Sequence, residues 1–124
     1  MNWYKKAQSQ FDSSEGYHTL HLDKAKMIYL VQPNRMVELV SLRVPQKYRR
    51  QGFAKAILSE FTQWLDKEGL QSTLAASPLD KKTNPDKLES MYSEFGYSPT
   101  GNYINPARDK EMGRPHQGGN DELV

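Results

Sequence analysis

The sequence predicts one α/β domain of the α+β kind: a mixed, mostly antiparallel sheet that opens as a three-stranded meander and continues helix, strand, helix, strand. Three observations carry this reading. Residues 17–22, 27–32 and 36–44 are successive strand-like runs, the second and third joined by the turn residues Pro33, Asn34 and Arg35. Phe53, Ala54, Ile57, Leu58, Phe61, Trp64 and Leu65 then recur at helical spacing. A shorter helical stripe of Leu88, Met91, Tyr92 and Phe95 comes after Asn84 and Pro85. At 124 residues the chain has the size of one domain, with 36% hydrophobic residues and with Trp, Phe and Tyr for a core.

Taken in order, residues 1–16 are polar and weakly patterned, a loose lead-in with room for one short helix. In the third strand Met36, Glu38, Val40, Leu42 and Val44 alternate with Val37, Leu39, Ser41 and Arg43, so that Glu38 interrupts an apolar face. Pro45 ends that strand, and a polar, basic loop leads to a helix that opens at Gly52 and closes at Gly69. Residues 70–76 form a short strand, and the segment from Pro78 to Thr83 is a polar loop. Asn84 as N-cap and Pro85 at the first helical position start the second helix, which Gly96 stops. Residues 97–104 read as a last edge strand, weakened by Pro99 and Gly101. The domain is therefore expected over 1–104, and the Gly-, Pro- and Asn-bearing residues 105–124 as a disordered tail.

Composition narrows the chemistry. There is no cysteine, hence no thiolate nucleophile or disulfide, and three scattered histidines make a poor zinc site. The N-terminus has no apolar signal-like run and no stretch is long enough to cross a membrane, so a cytoplasmic protein without a membrane partner is expected. Although the net charge is only +2, Arg43, Lys47, Arg49, Arg50 and Lys55 fall in one stretch without a carboxylate. Basicity confined to one loop disfavours a nucleic-acid-binding module, which needs a broad basic face. A basic loop running into a helix start instead gathers unsatisfied backbone N–H groups and the positive end of a helix dipole, a seat for a pyrophosphate.

The run Val44, Pro45, Gln46, Lys47, Tyr48, Arg49, Arg50, Gln51, Gly52, Phe53, Ala54 resembles the acetyl-CoA motif of the GNAT superfamily of N-acetyltransferases, with Arg49, Gly52 and Ala54 in its defining places. Met91, Tyr92, Ser93, Glu94, Phe95, Gly96 and Tyr97 are similar to the pattern that ends the family's later helix. The resemblance covers about residues 27–100 and implies acetyl-CoA as co-substrate, an amine acceptor from a protein or a small molecule, and direct transfer without a covalent enzyme intermediate.

Residue by residue, it implies that the backbone of Leu42, Arg43 and Val44 pairs with the pantetheine arm. The amides of Arg49, Arg50, Gln51, Gly52, Phe53 and Ala54 would hold the pyrophosphate, with Lys55 at the rim. Tyr92 matches the general acid that protonates the departing thiolate, and Glu38 the general base. Asn84 is a further candidate for holding the cofactor, although the family often has its Asn one position later, where Pro85 stands here. His18 and His21 lie on opposite sides of a strand and are expected to be structural or exposed.

One departure from the family is the truncated N-terminal part: a strand and two helices usually precede the meander, and these form a wall of the acceptor site. The shortened wall implies an open site for a protein amine, a site completed by a second subunit in a homodimer, or a non-catalytic acyl-CoA-binding protein.

Overall fold

A computed structural model describes residues 11–76, 85–104 and 109–115. The expected Asn84 cap and the loop from Pro78 to Thr83 lie outside the described residues. β1 (Gly16–Leu22), β2 (Ala25–Val31) and β3 (Met36–Arg43) form the antiparallel meander. Their turns are set by Asp23 and Arg35, both at positive φ, and the second turn is closed by the Gln32 amide donating to the Met36 carbonyl at 2.8 Å. A 3-10 turn over Gln46–Tyr48 leads to α1 (Phe53–Glu68). β4 (Gln71–Ala76), α2 (Pro85–Ser93), β5 (Ser98–Ile104) and β6 (Asp109–Arg114) complete the domain.

The six strands are ordered β1-β2-β3-β4-β6-β5. β4 lies parallel to β3, as a strand reached through a crossover helix should, and every other pairing is antiparallel. The sequence predicts a folded part that ends at Ile104, with a tail beyond it. The structure instead inserts β6 between β4 and β5, pairing Ser72 with Arg114 and Leu74 with Met112. The periodicity of β6 is nearly invisible because Met112 is its one fully buried apolar residue. Its other inward residue is Arg114, 5% exposed, whose guanidinium forks onto the Asp66 carboxylate of α1 at 2.8 and 3.0 Å.

α1 buries Ile57, Leu58, Phe61, Trp64 and Leu65, matching the predicted stripe. It closes at Gly69, which takes a left-handed conformation and lets the Leu70 amide reach back to the Leu65 carbonyl at 2.8 Å. Phe11, read as part of a loose lead-in, is 7% exposed and stacks on Trp64 at 5.2 Å between centroids while touching Tyr29 and Phe61. Four aromatic rings thus anchor the segment before β1 to α1. The Asp12 amide donates to the Tyr29 hydroxyl at 2.8 Å and ties the same segment to β2.

β3 departs from uniform alternation. Ile28 faces Ser41 and Tyr29 faces Leu39, so Val40 is an extra residue, a β-bulge that leaves its side chain 44% exposed. The bulge shifts the phase: Val37 and Leu39 face the helices before it, and Leu42, opposite fully buried Met27, does so after it. The single face expected for Met36, Glu38, Val40, Leu42 and Val44 is therefore broken at Val40.

Candidate functional site

The pairing of β3 with β4 ends at Leu39 opposite Leu74. β3 nevertheless runs on to Arg43, whereas β4 continues toward Ala76 paired on its far side with β6. The two central strands therefore part beyond the bulge, and the β4-facing edge of residues 40–43 opens into the gap. Extended backbone at such an edge offers N–H and C=O groups to a ligand that lies along it as another strand would.

The loop after β3 is braced from within. The Tyr48 amide donates to the Pro45 carbonyl at 2.8 Å, and Arg49 turns its Nε back to the Val44 carbonyl at 2.9 Å. Arg50 and Gly52 both adopt positive φ, 66° and 91°, so the chain coils before the helix begins. Gly52 caps α1 without a side-chain hydrogen bond, and the first turn carries no acidic residue. Among the described residues the first N–H groups of α1 thus have no acceptor, and the local field favours an anion. A Cβ built on Gly52 would meet nothing within 4 Å, so glycine is required there by backbone conformation and leaves clear space above the amides.

The side chains expected at the site are placed differently from one another. Lys55 forms an ion pair with Glu94 at 3.2 Å, which joins the start of α1 to the end of α2 and offsets the charge assigned to the rim. Glu38 stands on the sheet face turned away from the helices, opposite Leu30 of β2 and Thr73 of β4. Tyr92 lies on the helix side, 7% exposed, edge-on to the Tyr97 ring at 6.0 Å. Glu38 and Tyr92 consequently lie on opposite sides of the sheet.

Burial pushes the Tyr92 phenol up to about 12. Its hydroxyl has no hydrogen bond to any described residue, whereas the Tyr97 hydroxyl is engaged by Ser72 at 2.8 Å. Among the described residues no buried side-chain polar atom lacks a partner, and the Tyr92 ring is buried. Tyr92 is therefore a phenol that stays neutral at ordinary pH. Of the histidines, His18 stacks on Tyr29 at 5.1 Å and bonds the Ser14 carbonyl at 2.7 Å, while His21 is exposed on the other face.

Among the described residues no group of three or more His, Cys, Asp or Glu is placed to hold a metal ion, and no helix is long and apolar enough to cross a membrane.

A family model described as "Acetyltransferase (GNAT) family" matches residues 15–97, from just before β1 to the end of α2 and its following turn. The chain belongs to the GNAT acetyltransferase family. Its mixed α/β fold, a six-stranded sheet with two helices among the described residues, is consistent with that of solved family members.

The ribosomal-protein-S18-alanine N-acetyltransferase from Escherichia coli is similar at 21% identity and a TM-score of 0.61, over 97% of this chain and 81% of that one. The anti-CRISPR protein AcrVA5 is similar at 18% identity and a TM-score of 0.61, over 77% and 97%. The PaiA N-acetyltransferase from Thermoplasma acidophilum, solved in complex with coenzyme A, is similar at 16% identity and a TM-score of 0.54, over 73% and 52%. At these identities the likeness is one of fold. No curated protein sequence matches the chain.

Within this GNAT domain, sequence reasoning found the basic loop but missed the bulge and the parting of β3 from β4. Neither feature has a local signal, because both arise from which strand pairs with which.

Proposed function

We propose that this protein is an N-acetyltransferase that moves an acetyl group from acetyl-CoA to a primary amine by direct attack. The observation that carries the reading is the opening of β3 away from β4 beside an uncapped α1 N-terminus, which together fit an extended arm ending in a pyrophosphate. In this reading the backbone of Leu42, Arg43 and Val44 pairs with the pantetheine amides. The N–H groups of Arg49, Arg50, Gln51, Gly52, Phe53 and Ala54 receive the pyrophosphate, and Lys55 stays at the rim, shared with Glu94. Asn84 remains a candidate cofactor contact.

For the chemistry, Glu38 accepts a proton from the acceptor ammonium, directly or through water, so that a neutral amine attacks the thioester carbonyl. Backbone N–H near Val44 polarises the carbonyl oxygen as the N–C bond forms and the C–S bond breaks. Tyr92 donates its hydroxyl to the leaving sulfur. Full transfer from a phenol near 12 to a thiolate of ordinary basicity, near 8.5, is uphill by roughly 5 kcal/mol. Tyr92 thus acts by holding a strong hydrogen bond as negative charge develops on sulfur; the released thiolate takes its proton from solvent, to which the acylated nitrogen gives up its second proton.

The test is calorimetric titration with acetyl-CoA of the wild type and of Gly52→Glu, which puts bulk and negative charge where the amides converge. The wild type is expected to bind in the micromolar range and the variant to lose at least about tenfold, the loss of one or two charge-assisted contacts. Binding that survives Gly52→Glu unchanged would overturn the cofactor assignment.

A further inference from the structure

The strand register brings together three basic side chains that the acetyl-transfer reading does not use. His21 of β1 lies directly opposite Lys26 of β2, and Lys26 lies directly opposite Arg43 of β3. All three are exposed on the sheet face turned away from the helices and form one row across three strands. Like charges directly opposite in an antiparallel pair oppose folding. Among the described residues neither Lys26 nor Arg43 has a carboxylate partner to relieve this.

The same row lines a cavity of about 460 Å³ with Asp23, Lys24, Val44, Pro45 and Arg49. Lys24 is held at its edge by stacking its ammonium over the Tyr48 ring, 4.8 Å from the centroid. Four cationic side chains and a histidine therefore line one concavity whose wall, among the described residues, holds a single acid, Asp23. Its size is that of a small-ligand site.

We propose that the row His21, Lys26 and Arg43, with Lys24, binds a phosphate group in addition to the pyrophosphate placed on α1. A dianion with several acceptor oxygens meets donors from three strands at once, and it supplies the negative charge that the cross-strand repulsion lacks. The group has two sources of the same chemistry, the 3′-phosphate of CoA or a phosphate carried by the acceptor. Only the first rests on the acetyl-CoA reading.

The experiment combines two titrations of the full chain. In the first, inorganic phosphate is added while NMR follows the His21 ring and the Lys26 and Arg43 amides. Saturable shifts are expected in the wild type and in Gly52→Glu, and their loss in Lys26→Gln/Arg43→Gln. His21→Gln serves as a milder variant that should weaken binding without abolishing it. Because the double variant relieves like-charge opposition, its Tm should stay or rise by about 1–4 °C, which separates ligand loss from unfolding.

In the second titration, CoA is compared with dephospho-CoA. A preference of about tenfold for CoA that vanishes in the double variant assigns the row to the cofactor's 3′-phosphate. Equal affinity of the wild type for both, with the phosphate shifts intact, assigns it to a phosphate on the acceptor. Shifts that do not saturate, or that persist in the double variant, overturn the proposal. Failure of CoA to bind at all would strike the transferase reading alone, since the phosphate shifts report on the row independently.

Discussion

Among single residues, the environment of Tyr92 sets two expectations. Its phenol is raised by desolvation from 10 to about 12, so it stays neutral and able to donate throughout the range in which an amine acceptor can be deprotonated. The rate should therefore lose nothing to Tyr92 ionisation up to about pH 11, and Tyr92→Phe should lower kcat by roughly 10- to 1,000-fold with little change in KM for acetyl-CoA. A steady-state pH profile of both proteins checks this; a Tyr92→Phe enzyme with full kcat would remove the residue from the mechanism.

The second expectation concerns stability. Tyr97 is raised in the same direction as Tyr92 and for the same first cause, burial. A folded-state pKa above the unfolded one means that the native state holds its proton longer. Stability is then fully present below pH 10 and falls as pH climbs toward and through the folded value. For Tyr92 the two-unit shift corresponds to about 2–3 kcal/mol lost across that window. Urea unfolding at pH 9 and pH 11 should show the drop, and Tyr92→Phe should reduce it.

Among the elements, the least legible strand is tied to both helices by ion pairs, Arg114 to Asp66 of α1 and Lys110 to Glu89 of α2 at 2.8 Å. β6 inserts Arg114 beneath the sheet, where its guanidinium forks onto Asp66 and its Nε also donates to the Phe95 carbonyl. Three elements therefore meet at one nearly buried cation. Arg114→Met should cost about 2–4 kcal/mol, less than a fully buried pair because the Asp66 side chain is 30% exposed. Asp66→Asn should cost less than Arg114→Met, since it leaves the contact to Phe95. Thermal unfolding of the two single variants and the double variant measures the coupling. No sequence periodicity announces β6, because a strand specified by backbone pairing, one methionine and ion pairs has almost no apolar alternation to read.

Across the whole molecule, the described helices pack on one face of the sheet while Tyr17, His21, Glu38 and Val40 are turned to the other. Among the described residues the buried apolar side chains form one cluster on the helix side. Phe11 extends that core beyond the meander, and Phe11→Ala should cost about 3–5 kcal/mol, comparable with removing a residue of α1 itself. A chemical-denaturation midpoint unchanged by the substitution would show that the segment before β1 merely rests against Trp64 and Phe61.

The order of β1 through β5, both helices, their glycine stops and the loop from Arg49 to Ala54 that marks the family were all legible in the amino-acid sequence. These are local properties: hydrophobic period, turn chemistry and a helix start are encoded within a few residues of one another. The place of β6 between β4 and β5, the bulge at Val40, the departure of β3 from β4 after Leu39 and the row of His21, Lys26 and Arg43 came from the folded chain alone. Each of these depends on which strand lies beside which and in what register. That choice is made by the packing of the whole sheet against α1, to which no short stretch of sequence has access.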